Sequence, residues 1–596
     1  MGSSPAQDSA NVVTYEVSAG GSAIPDTYDI DSIIVTKQVN RISTCEIVLF
    51  DGDPAKADFP LSDSSTFLPG TEVEIKLGYD STNASVFKGI VIKQSIRISN
   101  EKGPQLELVC KDKAIKMSVG RQNAYYKDMK DSDIISKVIG NHSGLSSDVT
   151  ATSATLPEVI QYYASDWDFM ISRAEVNGLL VTTDAGKVGV SDPTAASDSG
   201  IEVTYGQDIL EFDATMDATD QFSSVKCSAW DHKTQKVVTG EASGADSGLG
   251  NVSTTTLADV IGLSDFPFQS VAPLDEAGLN TWAKAQVTKS EYAKIRGNVR
   301  FQGTASALPA TTISIMGVGE RFEGTAFISA VTHRLEDGDW VCDATIGVDP
   351  EWFSENVQMQ SPLASGLLPG IQGLHLGTVK QINEDTDSEF RVLVDIPLIT
   401  TSSDGVWARY GNFYATNKAG IFFYPEVGDE VVLGFLNEDP RYPIILASLY
   451  SSSKKVAPYT PDDKNSIKAI VTNAQIKIEF DDENKVLTVT TPGENQMVFS
   501  DKDKSITISD QNSNKIEMTS SGITLDSASS MTLKAAQDIS ITAGTSVSIE
   551  GPQSAEMTGA SVSVKADMDL GLEGGMTSKL SGGTQVTISG AMVMIN

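Results

Sequence analysis

The chain has 596 residues, of which 40% are hydrophobic and 21% charged, and its formal net charge is −35. A chain of this length is too long for one hydrophobic core and is predicted to fold as about three or four domains. The negative charge argues against binding to nucleic acid or anionic lipid, because both require Lys and Arg to neutralise phosphates.

Residues from about 11 to 120 are predicted to form a β-barrel. Alternating apolar and polar runs, such as Glu72–Leu77, are separated by turns in this part of the chain, which is typical of half-buried antiparallel strands. Two short helices are predicted next. The first is expected to be capped by Asp131 or Ser132, and the second begins after Ser165.

Residues from about 180 to 355 are predicted to form a second β-barrel, with a helix from Asp275 to Lys294 inserted in it. The stretch Ser361–Gly373 carries two prolines and three glycines among small apolar residues, which indicates a linker. We therefore assign residues 1–365 to one region of two β-barrels with helical insertions.

Residues 366–455 are predicted to form a small closed barrel of the oligonucleotide/oligosaccharide-binding (OB) type. Five or six strands occur between Leu374 and Tyr450, which suits that fold. Between residues 370 and 455, seven Lys and Arg stand against eleven Asp and Glu and leave a net charge of −4. We therefore expect no nucleic-acid binding, although other proteins use this fold for it. Residues 456–464 are interpreted as a linker.

From Gly522 onward, apolar residues recur about every eight positions in two columns that lie two residues apart. One column begins at Ile523 and the other at Leu525, and the residue between them is mostly Ser or Thr. Each octad therefore has the alternation of a strand with one buried face. Ten such strands in a row indicate a repeat architecture. The second column forms the predicted core: Leu525, Leu533, Ile541, Ile549, Met557, Val564, Leu572, Leu580 and Ile588.

One octad is too short to enclose a core by itself. Eight extended residues span at most about 26 Å, whereas a single coiling chain needs two or three sheet faces and their corners in each turn. The connectors, such as Ser527–Ser529 and Ala543–Thr545, also lack the Asn-Gly or Asp-Gly pairs of tight hairpins. We therefore predict that three copies intertwine into a triangular β-helical needle over residues 465–596. At ~4.8 Å per layer, ten layers extend about 50 Å.

Several motifs, in the same order along nearly the whole chain, resemble a known family. Residues 425–435 (PEVGDEVVLGF) and 439–446 (DPRYPIIL) are similar to the core motif of phage-baseplate and valine-glycine-repeat (VgrG) spike proteins. Residues 317–347 resemble the end of that family's tail-hub region, and the predicted helices look like those near its first barrel. The OB-domain motif rests on Pro425, Gly428, Asp429, Glu430 and Pro443.

The resemblance implies a mainly β homotrimer: a tail-hub-like double β-barrel with helical insertions, an OB-fold barrel, and a C-terminal intertwined triple-stranded β-helix. Such a protein is the central spike of a contractile injection machine, which is a phage-like tail, a type VI secretion system or an extracellular particle. In that family, two barrels from each of three subunits form a pseudo-sixfold ring on a hexameric inner-tube protein. Baseplate proteins and effector cargo are further expected partners.

The resemblance also implies where the protein acts. A spike of this family is assembled in the bacterial cytoplasm and is delivered outside the cell, or into a target, when the sheath contracts. Some phage spikes carry a lysozyme domain before the needle, but the stretch between Tyr450 and Asn465 has no room for one.

No enzyme, cofactor site or metal site is predicted. The sequence has no GxSxG, HExxH or phosphate-binding Gly-Lys-Ser motif, and each of its four histidines is expected to be structural. Asp166 and Asp168 flank a tryptophan as a sugar-binding carboxylate pair would, but their position at a helix start favours capping. Residues 551–596 contain no His or Cys, so the histidine-bound iron of some phage needle tips is not expected.

The cysteines and the first residues concern the compartment of the protein. Four well-separated cysteines form no CxxC or Cys/His spacing, so we expect buried thiols in a reduced protein. The start, MGSSPAQDSANVV, has no basic region followed by an apolar run, and the chain has no run of eighteen apolar residues. We expect no general secretory signal and no stable membrane insertion.

The last strand differs from the other octads. If the alternation persists, Val593 and Ile595 point inward, while Met592 and Met594 point outward where earlier octads place Ser or Thr. Exposed methionines at a blunt sheet end are typical of a docking surface. We hypothesise that a PAAR-type cone protein binds this tip, which comprises Met592, Val593, Met594, Ile595 and Asn596.

Three classes of function are weighed. The first is a non-enzymatic spike that joins the inner tube to a tip protein and pierces the target envelope. The second is a trimeric receptor-binding tail fibre or adhesin, which also uses a β-prism but usually ends in a globular, aromatic-rich head. The third is a peptidoglycan hydrolase, for which we expect no lytic activity.

Overall fold

A computed structural model describes residues 2–6, 12–244, 248–263, 265–357, 359–397 and 405–595. The chain divides into two compact units, Met1–Ser448 and Leu449–Asn596. Within the described ranges, no helix has both the length and the apolar character that a membrane span requires.

The first unit begins with an antiparallel sheet. Its strands bury alternate side chains, among them Ile33, Ile47, Ile75 and Leu108, in one core that also contains Phe67, as expected for strands with one buried face. The strands are β1 (Val13–Ala19), β2 (Ser22–Ala23), β3 (Ile30–Gln38), β4 (Thr44–Phe50), β5 (Glu72–Tyr79), β6 (Thr82–Ser99) and β7 (Gly103–Lys111).

An α/β insertion follows the 3-10 turn Lys113–Met117. Both predicted helices are present, and the Ser165 side chain caps the second by accepting from Asp168 N at 3.1 Å. The capping predicted for the first helix was wrong: Lys130 is the N-cap residue and makes no side-chain cap. The Asp131 carboxylate instead accepts from Arg173 Nε at 2.7 Å. The elements are β8 (Gln122–Lys130), α1 (Asp131–Gly140), β9 (Ser146–Val149), β10 (Thr155–Ala164), α2 (Asp166–Val176), β11 (Leu180–Asp184) and β12 (Lys187–Ser191).

The next segment adds strands and a second α/β insertion, after a 3-10 turn at Pro193–Ala195. The predicted helix is present, and the Asp275 side chain caps it by accepting from Gly278 N at 2.7 Å. The elements are β13 (Ser197–Thr204), β14 (Glu211–Met216), β15 (Ser224–Asp231), β16 (Lys236–Ser243), α3 (Thr254–Ile261), β17 (Phe266–Ser270), α4 (Glu276–Tyr292), β18 (Ile295–Gln302), β19 (Thr311–Met316), β20 (Gly324–Glu336) and β21 (Asp339–Ile346).

The two segments share one 13-stranded sheet. Its order is β14-β18-β21-β20-β3-β4-β7-β6-β5-β1-β2, with β19 also paired to β20 and β13 to β19. The junction is the antiparallel pair β3–β20, in which Thr36 lies opposite Thr332. The two predicted N-terminal barrels are therefore joined edge to edge, and their separate closure stays a prediction.

The predicted OB barrel is confirmed: five strands between His375 and Leu449 close into one barrel. Its core includes the fully buried Val394, Val431 and Leu433. The short helix α5 (Phe353–Asn356) and the 3-10 turn Leu363–Gly366 precede it. The remaining elements are β22 (His375–Gln381), β23 (Val392–Asp395), β24 (Val406–Tyr410), β25 (Ala415–Thr416), β26 (Ala419–Gly420), the 3-10 turn Leu436–Glu438, and β27 (Glu430–Phe435) and β28 (Pro443–Leu449) on either side of that turn.

The second unit contains a seven-stranded antiparallel meander, in which each strand pairs with the next. Its last strand holds the first octad, so Ile523 and Leu525 pair with the preceding strand through a hairpin, which the octad pattern did not predict. Residues 527–595 contain neither helix nor strand. The strands are β29 (Ile467–Val471), β30 (Lys477–Asp481), β31 (Val486–Thr490), β32 (Gln496–Ser500), β33 (Ser505–Ser509), β34 (Lys515–Thr519) and β35 (Gly522–Asp526).

Candidate functional site

The OB-domain motif closes the barrel. Gly428 has a φ of 87°, a left-handed conformation that favours glycine, and its N–H donates to Val379 O at 2.7 Å. Glu426 N donates to the Asp429 carboxylate at 2.8 Å, which fixes the turn before β27. Glu430 opens that strand opposite Thr378. The motif residues Pro425 and Pro443 are buried, and Pro443 begins β28.

The carboxylates around Trp167 serve the fold. Asp166 accepts from Gln161 Nε2 at 2.8 Å and contacts His142 Nε2 at 2.7 Å. Asp168 accepts from the Ser165 hydroxyl at 2.6 Å, completing the cap of α2. Trp167 is only 5% exposed, so its ring has no open face on which a sugar could stack.

The buried histidine of the first unit is also structural. His333 is enclosed in the sheet, and its Nδ1 lies 3.1 Å from Cys342 Sγ. Burial, together with the nearby Lys37 charge, lowers the pKa of His333 to about 3, so the ring is neutral at physiological pH. No three His, Cys, Asp or Glu side chains in the described ranges are placed to hold a metal ion.

A cavity of about 550 Å³ in the first unit is lined in part by the ion pair of Glu175 and Lys289. Glu175 accepts from Lys289 Nζ at 2.5 Å and from Phe353 N at 3.0 Å. Burial raises the pKa of Glu175, and the Lys289 charge opposes that shift. The Lys289 ammonium also lies 5.0 Å from the Trp352 ring centroid. These contacts join α2, α4 and α5, which is a structural role.

The predicted needle core is exposed in the single chain. Its least exposed member, Leu525, is 52% exposed, and its most exposed, Leu572, is 80%. Soluble monomers rarely expose so many large apolar side chains in a continuous stretch. The structure therefore leaves these residues exposed in the single chain. The other members are Leu533, Ile541, Ile549, Met557, Val564, Leu580 and Ile588.

The tip residues are exposed as well. Met592, Val593, Met594 and Ile595 are all accessible in the single chain, while Asn596 lies outside the described residues. The predicted difference between inward Val593 and Ile595 and outward methionines concerns an assembled form and stays a prediction.

Two apolar surfaces were missed by the sequence reasoning. One is the OB-barrel hairpin β25–β26, whose flanks expose Phe413, Tyr414, Phe422 and Phe423; the signal was the aromatic density of the run NFYATNKAGIFFY. The other is one face of the meander, where apolar residues from adjacent strands align. Its signal was a repeat longer than the octad.

Two family models match the chain. Residues 9–337, more than half of it, match the model described as the Alg8 N-terminal domain. Residues 375–450 match the type VI secretion system/phage-baseplate injector OB domain, which covers the whole motif described above. A search of curated proteins found no match.

Solved structures similar to this chain include tail and secretion proteins. A 43 kDa prophage MuSo2 tail protein from Shewanella oneidensis is 12% identical, with 57% of this chain and 98% of that one covered and a TM-score of 0.43. An E. coli type VI secretion component is 14% identical, with 73% and 100% covered and a TM-score of 0.37. A chain of the Francisella PdpA-VgrG complex is 10% identical, with 87% and 80% covered and a TM-score of 0.37. Because these TM-scores are below 0.5, they carry no argument here, and the family assignment rests on the model that matches residues 9–337.

Proposed function

Because the chain belongs to the family of the Alg8 N-terminal domain and carries the OB domain of type VI secretion and phage-baseplate injectors, we propose that it is the homotrimeric spike of a contractile injection machine. The OB-domain match supports the spike-hub role. Its trimeric state, its piercing action and its tip partner are parts of the proposal. A mechanical, non-enzymatic function is part of it too.

The observation that carries the proposal is the exposed octad region. Residues 527–595 form no strand pairs within the chain, although nearly every octad has the apolar alternation of a half-buried strand. Covering one large apolar side chain contributes roughly 1.5–3 kcal/mol, and two columns of them are uncovered. Two further copies would supply the missing walls and pair the free strand edges.

In the proposed mechanism, the spike transmits force. Sheath contraction drives the inner tube and the spike forward, and a closed prism without free strand edges enters the target envelope. Residues 465–596 carry nine Lys and sixteen Asp and Glu, a net charge of −7 in each chain. That charge favours passage through an anionic membrane surface over adsorption to it.

The expected partners lie at the two ends of the spike. Two barrels in each of three subunits would give the six positions that a hexameric inner-tube protein offers. Baseplate proteins would surround this base. A PAAR-type protein would sit on Met592–Asn596, with effector cargo carried by either protein. We propose assembly in the bacterial cytoplasm and delivery on contraction.

Light scattering and electron microscopy of the purified full-length chain test the proposal. We expect a mass three times the 63.4 kDa of one chain and particles with a three-lobed base and one thin point. A monomer would contradict the trimer. A trimer that ends in a globular knob would favour the tail-fibre alternative.

A further inference from the structure

The meander of the second unit is built on a repeat of 19 residues. Strands β29, β31 and β33 begin at positions 467, 486 and 505, and strands β30, β32 and β34 begin at 477, 496 and 515. One left-handed residue recurs at the same interval, as Gln475, Glu494 and Ser513, with φ of 66°, 64° and 68°. Each repeat is therefore one complete hairpin whose backbone hydrogen bonds are made within the chain.

The strand register aligns apolar residues into two rows on one face of this meander. Residues two apart in a strand share a face, so the two rows lie side by side, and Lys468 is the one charged residue in them. The first row is Ile470, Ile478, Val489, Met497, Ile508, Ile516 and Leu525, and the second is Lys468, Phe480, Leu487, Phe499, Ile506, Met518 and Ile523.

The opposite face is more polar. The row between the two apolar ones is Ala469, Glu479, Thr488, Val498, Thr507, Glu517 and Thr524. None of the apolar residues on the first face is buried, and Phe480 and Phe499 are 43% and 40% exposed. The described chain therefore leaves a seven-strand apolar face uncovered.

Strand β35 connects this face to the octads. Ile523 ends one row of the meander and begins one octad column, and Leu525 does the same for the other. Both regions thus present two apolar positions in each layer at the same spacing. The copies of this chain that cover the octad columns in the spike proposed above would therefore continue directly onto the meander face.

We propose that the meander faces of three copies pack together to form the trimer, and that this contact sets the register of the octads. The proposal rests on the trimeric spike proposed above. Octads are nearly equivalent, so a shift of eight residues still places apolar pairs opposite apolar pairs, and weakly specified register slips easily. The meander slips less easily, because its layers carry different side chains and a shift by one 19-residue repeat would set Lys468 against an apolar layer.

The order of assembly follows from where the hydrogen bonds are. Hairpin contacts are local and form fast, so each meander can be present before copies meet. The octads gain strand partners only from other chains. The meander face is therefore the surface on which three chains first associate, and octad pairing proceeds from β35 toward residue 595.

Single substitutions in the full-length chain separate the two surfaces. Phe499→Asp places a charge on the apolar face, and Val498→Asp places the same charge on the adjacent residue of the opposite face. Ile549→Asp places it in an octad column. By light scattering at micromolar concentration, we expect Phe499→Asp to lose the trimer peak, whereas Val498→Asp and Ile549→Asp retain it. Ile549→Asp should instead make the octads faster to cut by protease.

The outcomes distinguish this proposal from the proposed function. A monomeric wild type contradicts the spike itself. The meander contact is overturned if the wild type and the Phe499→Asp variant are both trimeric while the Ile549→Asp variant dissociates. That result would leave the proposed trimeric spike intact. Hydrogen exchange of β29–β35 amides shows whether a monomeric variant has kept its hairpins.

A milder variant tests register even if the charge unfolds the sheet. Ile541→Cys puts three identical thiols in one layer when the octads are aligned, so a short bismaleimide should link copies efficiently. Adding Phe499→Ala should lower that yield several-fold, while adding Val498→Ala should not. An unchanged yield with Phe499→Ala would overturn the role of the meander in register.

Discussion

The OB barrel and the octads alternate apolar and polar residues in the same way, yet their apolar side chains have different surroundings. In the barrel, Val394 and Leu433 are fully buried, because five strands of one chain close on themselves. In the octads, Ile541 and Ile549 are more than half exposed. The connections account for this difference.

In the barrel, a left-handed glycine and an aspartate-fixed turn bring β27 back beside β22. The octad connectors, such as Ala543–Thr545, contain no such turn. Periodicity therefore indicates which face of a strand is apolar, whereas the turns decide whether the same chain covers that face. The meander combines both situations: its hairpins satisfy the backbone within the chain, but its apolar face stays exposed.

The largest expected effect comes from placing a charge in the closed barrel. Val394→Asp buries an unpaired carboxylate, which should destabilise the OB barrel by about 4 kcal/mol or more. Urea unfolding followed by hydrogen exchange of β22–β28 measures the change. The matched control is Val562→Asp in an exposed octad position, which should leave the barrel unchanged. A loss below about 1 kcal/mol with Val394→Asp would contradict a core closed by one chain.

An intermediate effect is expected from pH through His333, which lies in the first unit. His333 has a folded pKa of about 3 against an unfolded value of about 6.5. Its contribution to stability is therefore present above pH 6.5 and is lost as the pH falls toward 3. Between pH 6.5 and pH 3, the unfolded state binds one proton more than the folded state at this residue. The free energy of unfolding therefore falls by about 1.4 kcal/mol for each pH unit.

Thermal unfolding of the first unit between pH 7 and pH 4 measures this slope, and His333→Gln should reduce it. The informative quantity is the difference in slope between the wild type and the His333→Gln variant, because carboxylates titrate in both proteins and contribute equally to both slopes. The octads contain no histidine, so their association should not respond through this group. Equal slopes in wild type and variant would contradict the assignment to His333.

The smallest change in stability is expected at the tip. Met592→Ser with Met594→Ser removes no buried contact of the single chain, so stability should change by less than about 0.5 kcal/mol. The same variant should abolish co-purification with a PAAR-type cone protein. Met568→Ser with Met576→Ser, at two other exposed methionines, should leave it intact. Unchanged capture by the tip variant would contradict the docking hypothesis.

Local signals made much of the fold predictable. The PEVGDEVVLGF motif and the number of strands identified the OB barrel, and Ser165 and Asp275 marked the starts of α2 and α4. The cap of α1 could not be predicted in this way, because Asp131 contacts Arg173 on another helix. Tertiary contacts of this kind leave no mark in the neighbouring sequence.

The longest-range features had the weakest signals. The 13-stranded sheet depends on the β3–β20 pair, in which Thr36 and Thr332 are nearly 300 residues apart. The meander repeat alternates between five-residue strands and two kinds of turn, so a search at one short interval does not detect it. For the tip, the sequence indicated the exposed methionines, but the partner proposed for them is another molecule, which leaves no mark in this chain.

Strand β35 also separates two regions that would respond differently to a break in the backbone of one chain. In the proposed trimer, each meander is held by hydrogen bonds of its own chain. A cut in one of its turns would therefore loosen only the meander of that chain. Beyond Asp526, every layer is bound by neighbours from all three copies. A single broken chain there remains held by the other two, which gives the point of the spike redundancy where it meets the target first.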